Sequence, residues 1–313
     1  DHRYATYEGA SQANLNAGIL PQLTAEQKAN PTMAAQPRYW VPEEAVNDRL
    51  VYWGRAWLLG FRDVTSAIVE RTAIFSLLPR VGVGHTMPLM LPKVSTSLVG
   101  CLLGNLNSLP FDYSVRQKVG GVHLSYNYLR QLPVLLPSVY SPLATHFIAP
   151  RVLELVYTAW DMAPFAADLW REWRDSELAN GEMVKGATDD SLLTTHHSLL
   201  AQWEANRAAT GGHPWNPPAW ANLPPTPDSP FPTPYCPLPP FKWDENRRAL
   251  LRAELDAYYA RLYGLTRDEL RYILDPKDVY GPDFPGETFR VLKEKEERAF
   301  GEYRTRRLVL EAW

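Results

Sequence analysis

The stretch Trp57–Pro92, WLLGFRDVTSAIVERTAIFSLLPRVGVGHTMPLMLP, decides the predicted fold of the first half of the chain. It contains three short apolar runs, WLLGFRDV, TAIFSLLP and TMPLMLP, which are interrupted by Gly and Pro. Runs of this length between turn residues predict β-strands. The segment Arg80–His85 (RVGVGH) lies between the second and third runs and predicts a loop with close backbone approach.

The segments that follow the predicted strands are harder to assign. Thr96–Asn107 (TSLVGCLLGNLN) is consistent with a buried helix or a buried strand, and its periodicity does not decide between them. Leu132–Pro137 (LPVLLP) is apolar and flanked by prolines, which predicts a strand at an edge or at the exit of a sheet.

The second half of the chain is predicted to be helical. Ala149–Trp160 and Pro164–Leu178 have apolar side chains at helical spacing, and Asp244–Tyr263 predicts an amphipathic helix that Gly264 ends. The capping box Thr266–Glu269 opens a further short helix. The remainder from residue 287 to the end predicts one long charged helix.

These elements predict an α+β fold with three parts. A connector covers residues 1–37, a small mixed β-sheet domain covers 38–140, and a helical C-terminal region covers 141–313. A proline-dense arm at about 212–243 is expected to be extended along the surface of this region.

Composition limits the class of protein. The net charge is −3, but residues 38–137 contain ten Arg or Lys and six Asp or Glu, which gives +4 and leaves −7 elsewhere. A basic first part is either an electrostatic footprint for nucleic acid or ordinary scatter of surface charge. The two cysteines, Cys101 and Cys236, form neither a disulfide framework nor a zinc motif, which favours the cytoplasm. No apolar run is long enough for a membrane span.

Two motifs suggest catalysis, and neither is convincing. Asn216–Ala219 (NPPA) is close to the Asn-Pro-Pro-aromatic loop of amino-methylating DNA enzymes, but Ala replaces the aromatic residue that stacks on a flipped base. His196 and His197 are adjacent, so on a helix their side chains diverge, and no matching ligand is spaced for a metal. We therefore expect no catalytic residue and no metal site in this chain.

The segment Arg116–His123 (RQKVGGVH) carries the strongest binding signal. Arg116, Gln117 and Lys118 offer donors for phosphates and base edges. Gly120 and Gly121 allow backbone N–H groups to approach a phosphate closely, and His123 adds a further donor. The alternative is a hairpin turn whose glycines only supply positive φ angles. The residues alone do not separate these two interpretations.

At this segment the sequence resembles a known family, the large bacterial DNA adenine-N6 methyltransferases of restriction–modification and phage defence. RQKVGGVHLSYNYLRQLPVLLP is similar to the end of their target-recognition domain, and DHRYATYEG resembles the Asp-x-Arg box that leads out of their methyltransferase domain. The segments 252–276 and 284–313 resemble the C-terminal tail of these enzymes. The resemblance covers most of the chain apart from about residues 179–243.

The resemblance implies a specificity module of a longer enzyme. In the family, the methyltransferase domain lies upstream, binds S-adenosylmethionine and takes the flipped adenine, while the recognition domain clamps double-stranded DNA. We expect no cofactor in this part and no membrane contact. Whether a nuclease or helicase partner acts with it stays open. The alternative is a protein-interaction scaffold that docks such a partner through the proline-rich arm and the helical tail.

The predicted DNA-binding residues form three groups. The first is the turn of Arg116, Gln117, Lys118, Gly120, Gly121 and His123, and the second is the loop of Arg80, Gly82, Gly84 and His85. The third consists of Arg62 and Arg71, which are expected to contact phosphates.

Overall fold

The computed structural model describes residues 2–181, 195–223 and 238–313, with side chains described except at 176–181 and 195–197. The described strands are β1 (Trp57–Phe61), β2 (Phe75–Pro79) and β3 (Leu89–Met90). The helices before residue 140 are α1 (Gln12–Ala17), α2 (Ala25–Ala29), α3 (Glu43–Arg49), α4 (Thr96–Asn107), α5 (Leu109–Lys118) and α6 (Tyr126–Leu129). The later helices are α7 (Pro142–Val156), α8 (Ala163–Gly181), α9 (Thr195–Thr210), α10 (Glu245–Leu262), α11 (Arg267–Leu274), α12 (Lys277–Tyr280), α13 (Arg290–Phe300) and α14 (Arg304–Ala312). The predicted α+β class is confirmed.

The three predicted strands form one sheet in the order β2-β1-β3. Trp57 pairs with Pro79 and Phe61 with Phe75, while Gly60 pairs with Leu89 on the other side. Both pairings are antiparallel, so the sheet is not mixed as predicted. All five residues of β1 are buried, because the strand is central and both of its faces are covered.

The predicted strand at Leu132–Pro137 is wrong. The segment has no ladder partner, since Pro133 and Pro137 have no N–H to donate. It is instead held by the amide of Leu135, which donates to the Asn105 side-chain oxygen at 3.0 Å. The apolar run is therefore an irregular segment joined to α4 through Asn105 and to Tyr263, whose Oη donates to Pro133 O at 2.6 Å.

The uncertain segment Thr96–Asn107 is a helix. Ser95 caps its N-terminus, and most of its residues are buried because α7 and α8 pack against it. A Cβ placed on Gly100 would lie 3.9 Å from the Cα atom of Ala149, which shows how closely α4 and α7 approach.

The paired glycines do not form a hairpin turn. α5 ends at Lys118, and among the described glycines Gly120 and Gly121 are not in the positive-φ region. After them the chain joins the extension of β1, where Thr65 N–H donates to Val122 O and Leu124 N–H donates to Asp63 O. The hairpin alternative is therefore wrong, because the flanking segments are a helix and a bridge rather than two paired strands.

The main core crosses the predicted boundary at residue 140. One cluster of buried side chains runs from Trp53 in the first part to Tyr259 in α10. The Trp57 ring meets Phe165 edge to face at 5.1 Å, and its Nε1 donates to Asp168 at 2.9 Å. The sheet and the helices therefore share one core. A second, smaller cluster joins α5 with α10, α11, α13 and α14.

The C-terminal helices mostly follow their predicted bounds. The capping box at Thr266 and Glu269 is present, and α11 ends at Leu274. The long helix predicted after residue 287 is instead two helices, because Gly301 adopts a left-handed φ of 76° and ends α13. The carboxylate of Glu296 then accepts from the N–H of Thr305 at 2.7 Å, which fixes the start of α14.

The first segment, predicted to be a connector, is bound to the helical part. The Arg3 side chain is fully buried and donates to Thr158 Oγ1 at 2.8 Å and to main-chain oxygens including that of Lys28 at 2.9 Å. Of the predicted proline-rich arm, residues 224–237 lie outside the described residues, and Cys236 lies among them.

Candidate nucleic-acid interface

Arg116 has an internal role in place of the predicted DNA contact. Its side chain is 5% exposed. Nη1 donates to the main-chain oxygens of Ala67 (2.9 Å) and Thr288 (3.1 Å), and Nη2 donates to those of Val69 (2.9 Å) and Glu70 (2.8 Å). Burial lowers the pKa of Arg116 from its usual value. Because its donors are used inside the protein, Arg116 is not available to a phosphate.

Asp112 organises the interior around Arg116. Its carboxylate is fully buried and accepts from the N–H groups of Thr72 (3.0 Å) and Ala73 (2.7 Å). Arg116 and Arg71 both form ion pairs with Asp112 at 3.2 Å. Arg71 also donates to the main-chain oxygen of Asn107. This cluster ties the β1–β2 connection to α5, so Arg71, like Arg116, is a structural cation.

The two remaining predicted arginines also bind main-chain oxygens. Arg62 Nη2 donates to Arg71 O at 3.1 Å. Arg80 donates to Leu50 O (3.1 Å) and Arg55 O (3.2 Å), and it also contacts Trp53 O and the Asn47 side chain. Arg80 therefore fastens the end of β2 to α3 and the turn after it. All four predicted arginines therefore use donors inside the protein, where they connect loops to neighbouring segments.

The other eight predicted residues are exposed. Gln117, Lys118, Gly120, Gly121 and His123 follow or end α5, and Gly82, Gly84 and His85 lie in the loop between β2 and β3. We name residues 81–86 and 117–123 together the glycine-loop surface. A Cβ placed on Gly84, Gly120 or Gly121 would meet no heavy atom within 4 Å, so the main chain at these three positions is open to a ligand.

The structure brings the two glycine loops side by side at Asp63. The N–H of Asp63 donates to Thr86 O at 3.0 Å, and its main-chain oxygen accepts from Leu124 N–H at 2.8 Å. The Asp63 carboxylate lies 3.0 Å from Nδ1 of His123, which orients the imidazole. When Nδ1 carries the proton for this contact, Nε2 is left for another partner.

Gly82 differs from the other glycines of this surface. A Cβ at Gly82 would clash with the side chain of the exposed Val41, so local packing at the surface favours glycine here. The close backbone approach predicted for the RVGVGH loop is therefore present, but its partner is Val41.

Few cations remain exposed around the glycine loops. Of the ten Arg and Lys in residues 38–137, only Arg38, Arg49, Lys93, Lys118 and Arg130 are exposed. Tyr126 Oη donates to Leu89 O at 2.7 Å, which places α6, followed by Arg130, beside β3. The positive charge available to a polyanion is thus smaller than the sequence count suggests.

An exposed aromatic group next to this surface was missed at the sequence level. Tyr39, Trp40 and Tyr52 are 76%, 73% and 96% exposed, and they flank α3, against which the Gly82 loop packs. Tyr39 and Trp40 belong to the run RYWV at 38–41, in which two adjacent aromatic residues follow Arg38. Exposed rings beside cations can stack on nucleic-acid bases or contact a protein.

The catalytic motifs gain nothing from the structure. Asn216 is exposed and precedes a single 3₁₀ turn at Ala219–Ala221. The side chains of His196 and His197 lie outside the described residues. Burial raises the pKa of the Cys101 thiol to about 12, which rules out a thiolate nucleophile there at neutral pH.

Two searches of the described residues were negative. No group of three or more His, Cys, Asp or Glu side chains in them is arranged to hold a metal ion. In the same residues, no helix has both the length and the apolar character needed to cross a bilayer.

Comparison with family models, with curated proteins and with solved structures gave no match for this chain.

Proposed function

We propose that the chain is the DNA sequence-recognition module of an adenine-specific N6 DNA methyltransferase of the restriction–modification or phage-defence type. It binds double-stranded DNA and presents the target to a catalytic domain upstream in the same cytoplasmic enzyme. That domain, and not this chain, binds S-adenosylmethionine. The observation that carries the proposal is the glycine-loop surface, where two open main-chain segments, Lys118 and two histidines lie side by side.

The arrangement suits a duplex for physical reasons. Exposed amides at Gly84, Gly120 and Gly121 can donate to phosphate oxygens with no side chain in the way. Lys118 adds a charge at the end of α5, and His85 and His123 can donate to phosphates or base edges. Arg116 anchors the end of α5 and Arg80 anchors the end of β2, which are the points where the two glycine loops begin. Anchored loop ends reduce the entropy that ordering the loops on binding would cost.

The small number of exposed cations sets the expected salt dependence. Lys93, Lys118 and Arg130 are the exposed cations that follow or flank the glycine loops in the described structure. Each neutralised phosphate contributes about −0.9 to the slope of log K against log salt, so three contacts give a slope of about −2.7. We therefore expect weak duplex binding by the isolated chain and stronger binding by the intact enzyme.

The test uses Lys118→Ala in the intact enzyme. A target sequence is first selected from duplexes of random sequence, and the affinity for this target is then measured by fluorescence anisotropy. The expected result is weaker binding to all duplexes and a salt slope smaller by about 0.9. Arg261→Gln is the matched control, because Arg261 is an exposed cation at the end of α10. Unchanged affinity and slope for Lys118→Ala would remove this surface from the proposal.

The second candidate is a protein-interaction scaffold that docks a nuclease or helicase, and the exposed rings of Tyr39, Trp40 and Tyr52 favour it. Aromatic side chains are enriched at the energetic centres of protein interfaces. The test replaces Trp40 and Tyr52 with Ser in the intact enzyme and measures association with the purified partner. A second variant deletes residues 224–237 of the proline-rich arm, which leaves α9 and the buried Phe241 in place. If neither change weakens association, the scaffold function is refuted.

A further inference from the structure

A large cavity lies on the side of α4 and α10 where α13 and α14 pack. Its volume is about 680 Å³, and its walls come from β2, α4, α7, α10, α13 and α14. Cavities that bind small molecules in proteins generally measure about 300–1,000 Å³. None of the twelve predicted DNA-binding residues except Arg71 lines it, so it is separate from the glycine-loop surface.

Arg248 lines this cavity with a guanidinium that is not fully paired. The residue is 9% exposed, and its guanidinium stacks on the Trp243 ring at 3.7 Å. Its Nη1 is buried, and no described group accepts a hydrogen bond from it. An unpaired buried donor on a cation is costly, so an anion bound beside this guanidinium would offset part of that cost.

Arg252 lies one helical turn after Arg248 and lines the same cavity. Residues four apart on a helix are neighbours, so the two positive charges repel each other. Arg252 is exposed at the cavity, and none of the ion pairs among the described residues includes it. Burial lowers the pKa of Arg248 to about 9, and the charge of Arg252 contributes to that lowering.

The acidic residues of the cavity are committed to other partners. The Asp256 carboxylate accepts from Leu109 N–H at 2.7 Å, and Glu296 caps α14 through Thr305. Glu70 pairs with Lys295 at 2.8 Å. Glu245 accepts from Trp243 Nε1 at 3.2 Å. The lining therefore contains two adjacent guanidiniums without a dedicated carboxylate between them.

The remainder of the cavity wall is apolar. Phe75, Leu103, Val152, Leu155 and Leu292 line it, together with alanines of α10. An inorganic ion alone would leave this surface without a contact. A molecule that joins an anionic head to an apolar body matches both parts of the wall.

We propose that this cavity binds a small organic anion, whose phosphate or carboxylate group lies between Arg248 and Arg252 and whose apolar body contacts the aliphatic wall. Planar guanidiniums bind either oxyanion in two-point geometry. The proposal does not depend on the DNA-recognition function, because it concerns a different face and different residues.

The experiment measures binding to the full 313-residue chain by calorimetry in a phosphate-free buffer. The probes are phenyl phosphate, phenylacetate, inorganic phosphate and benzyl alcohol, each at matched ionic strength in NaCl. We expect one or both organic anions to bind, the inorganic ion to bind at least tenfold more weakly, and the neutral alcohol to give no heat. The two organic anions distinguish a phosphate ligand from a carboxylate ligand.

Two variants locate the site. Arg252→Gln is expected to lower the affinity for the organic anion by about tenfold to a hundredfold, since charge-assisted hydrogen bonds are lost. Arg261→Gln on the same helix lies outside the cavity lining and should bind like the parent. Arg248→Met should abolish binding and raise the unfolding midpoint of the ligand-free protein, because an unpaired buried charge is removed.

Two outcomes overturn the proposal. The first is that neither organic anion binds the parent protein. The second is that Arg252→Gln binds as tightly as the parent. A fall in the unfolding midpoint of ligand-free Arg248→Met would show that Arg248 stabilises the fold without a ligand. That result would contradict its proposed role in binding an anion.

Discussion

Replacing Arg116 with Met is expected to lower the stability of the fold without weakening the proposed binding to duplex DNA. The change keeps an unbranched apolar stem and removes the guanidinium with its charge and its hydrogen-bond donors. It leaves the buried Asp112 carboxylate without one of its two cations and leaves four main-chain oxygens without a donor. Removing one partner of a buried ion pair costs about 3–5 kcal/mol. Asp112 keeps Arg71 and two amide donors, so we expect about 3 kcal/mol.

That loss is large against a total stability of about 5–15 kcal/mol for a folded protein. The assay is urea denaturation at pH 7, followed by tryptophan fluorescence, with DNA binding measured below the transition. Lys118→Ala is the matched control two residues along α5, and because its side chain is exposed it should change stability by less than about 0.5 kcal/mol. Arg116→Met should therefore lower stability and leave DNA affinity unchanged. Lys118→Ala should lower DNA affinity and leave stability unchanged.

The reasoning would be refuted by one clear result. If Arg116→Met unfolds at the urea concentration of the parent and binds duplex DNA more weakly while folded, Arg116 faces the ligand and not the interior. Equal stability alone would already contradict the four carbonyl contacts.

Gly104→Ala should lower stability by about 1–3 kcal/mol in thermal denaturation, because the new Cβ would lie 2.7 Å from Tyr259 Oη, whereas Gly100→Ala meets only an ordinary contact at 3.8 Å and should cost less. Burial raises the pKa of Asp256 to about 6, above the unfolded value of about 3.9, so the folded protein takes up a proton and its stability falls as pH rises from about 4 to about 6. Asp256→Asn should remove that part of the slope in urea titrations, and an unchanged slope would contradict the shift. The Arg306 guanidinium holds the pKa of Asp278 at about 2, so this carboxylate stabilises the fold above about pH 4 and loses its contribution as pH falls toward 2. In Asp278→Asn, stability should depend less on pH between about 4 and 2 than it does in the parent. An equally steep dependence would disprove this contribution.

The sequence predicted the strands and the helices α8, α10 and α11 because their signals are local. WLLGFRDV is a short apolar run between turn residues, and the Thr266–Glu269 box determines a helix start by itself. The pairing direction and the fate of LPVLLP depend on what lies across the fold. The amide of Leu135 donates to the side chain of Asn105, and no pattern within the segment indicates that partner.

The candidate site shows the same division more sharply. Gly120, Gly121 and Lys118 are exposed, as expected for residues that meet a ligand. The arginines were assigned to phosphates because a sequence shows their charge but not their acceptors. For Arg116 the acceptors are main-chain oxygens up to 172 residues away. The cavity at Arg248 had no sequence signal, since its walls come from segments that are distant in the chain.

The continuous core around Trp57 has a consequence for engineering. Its contacts are with Phe165 and Asp168 of α8, which lie well beyond the predicted domain boundary at residue 140. A chimera that transplants residues 38–140 alone would carry a strand whose tryptophan has lost its lining, and would leave the recipient's helices with an unfilled hole. Transfer of any binding property of this region would therefore have to replace individual loop residues, or move the sheet and its supporting helices as one cassette.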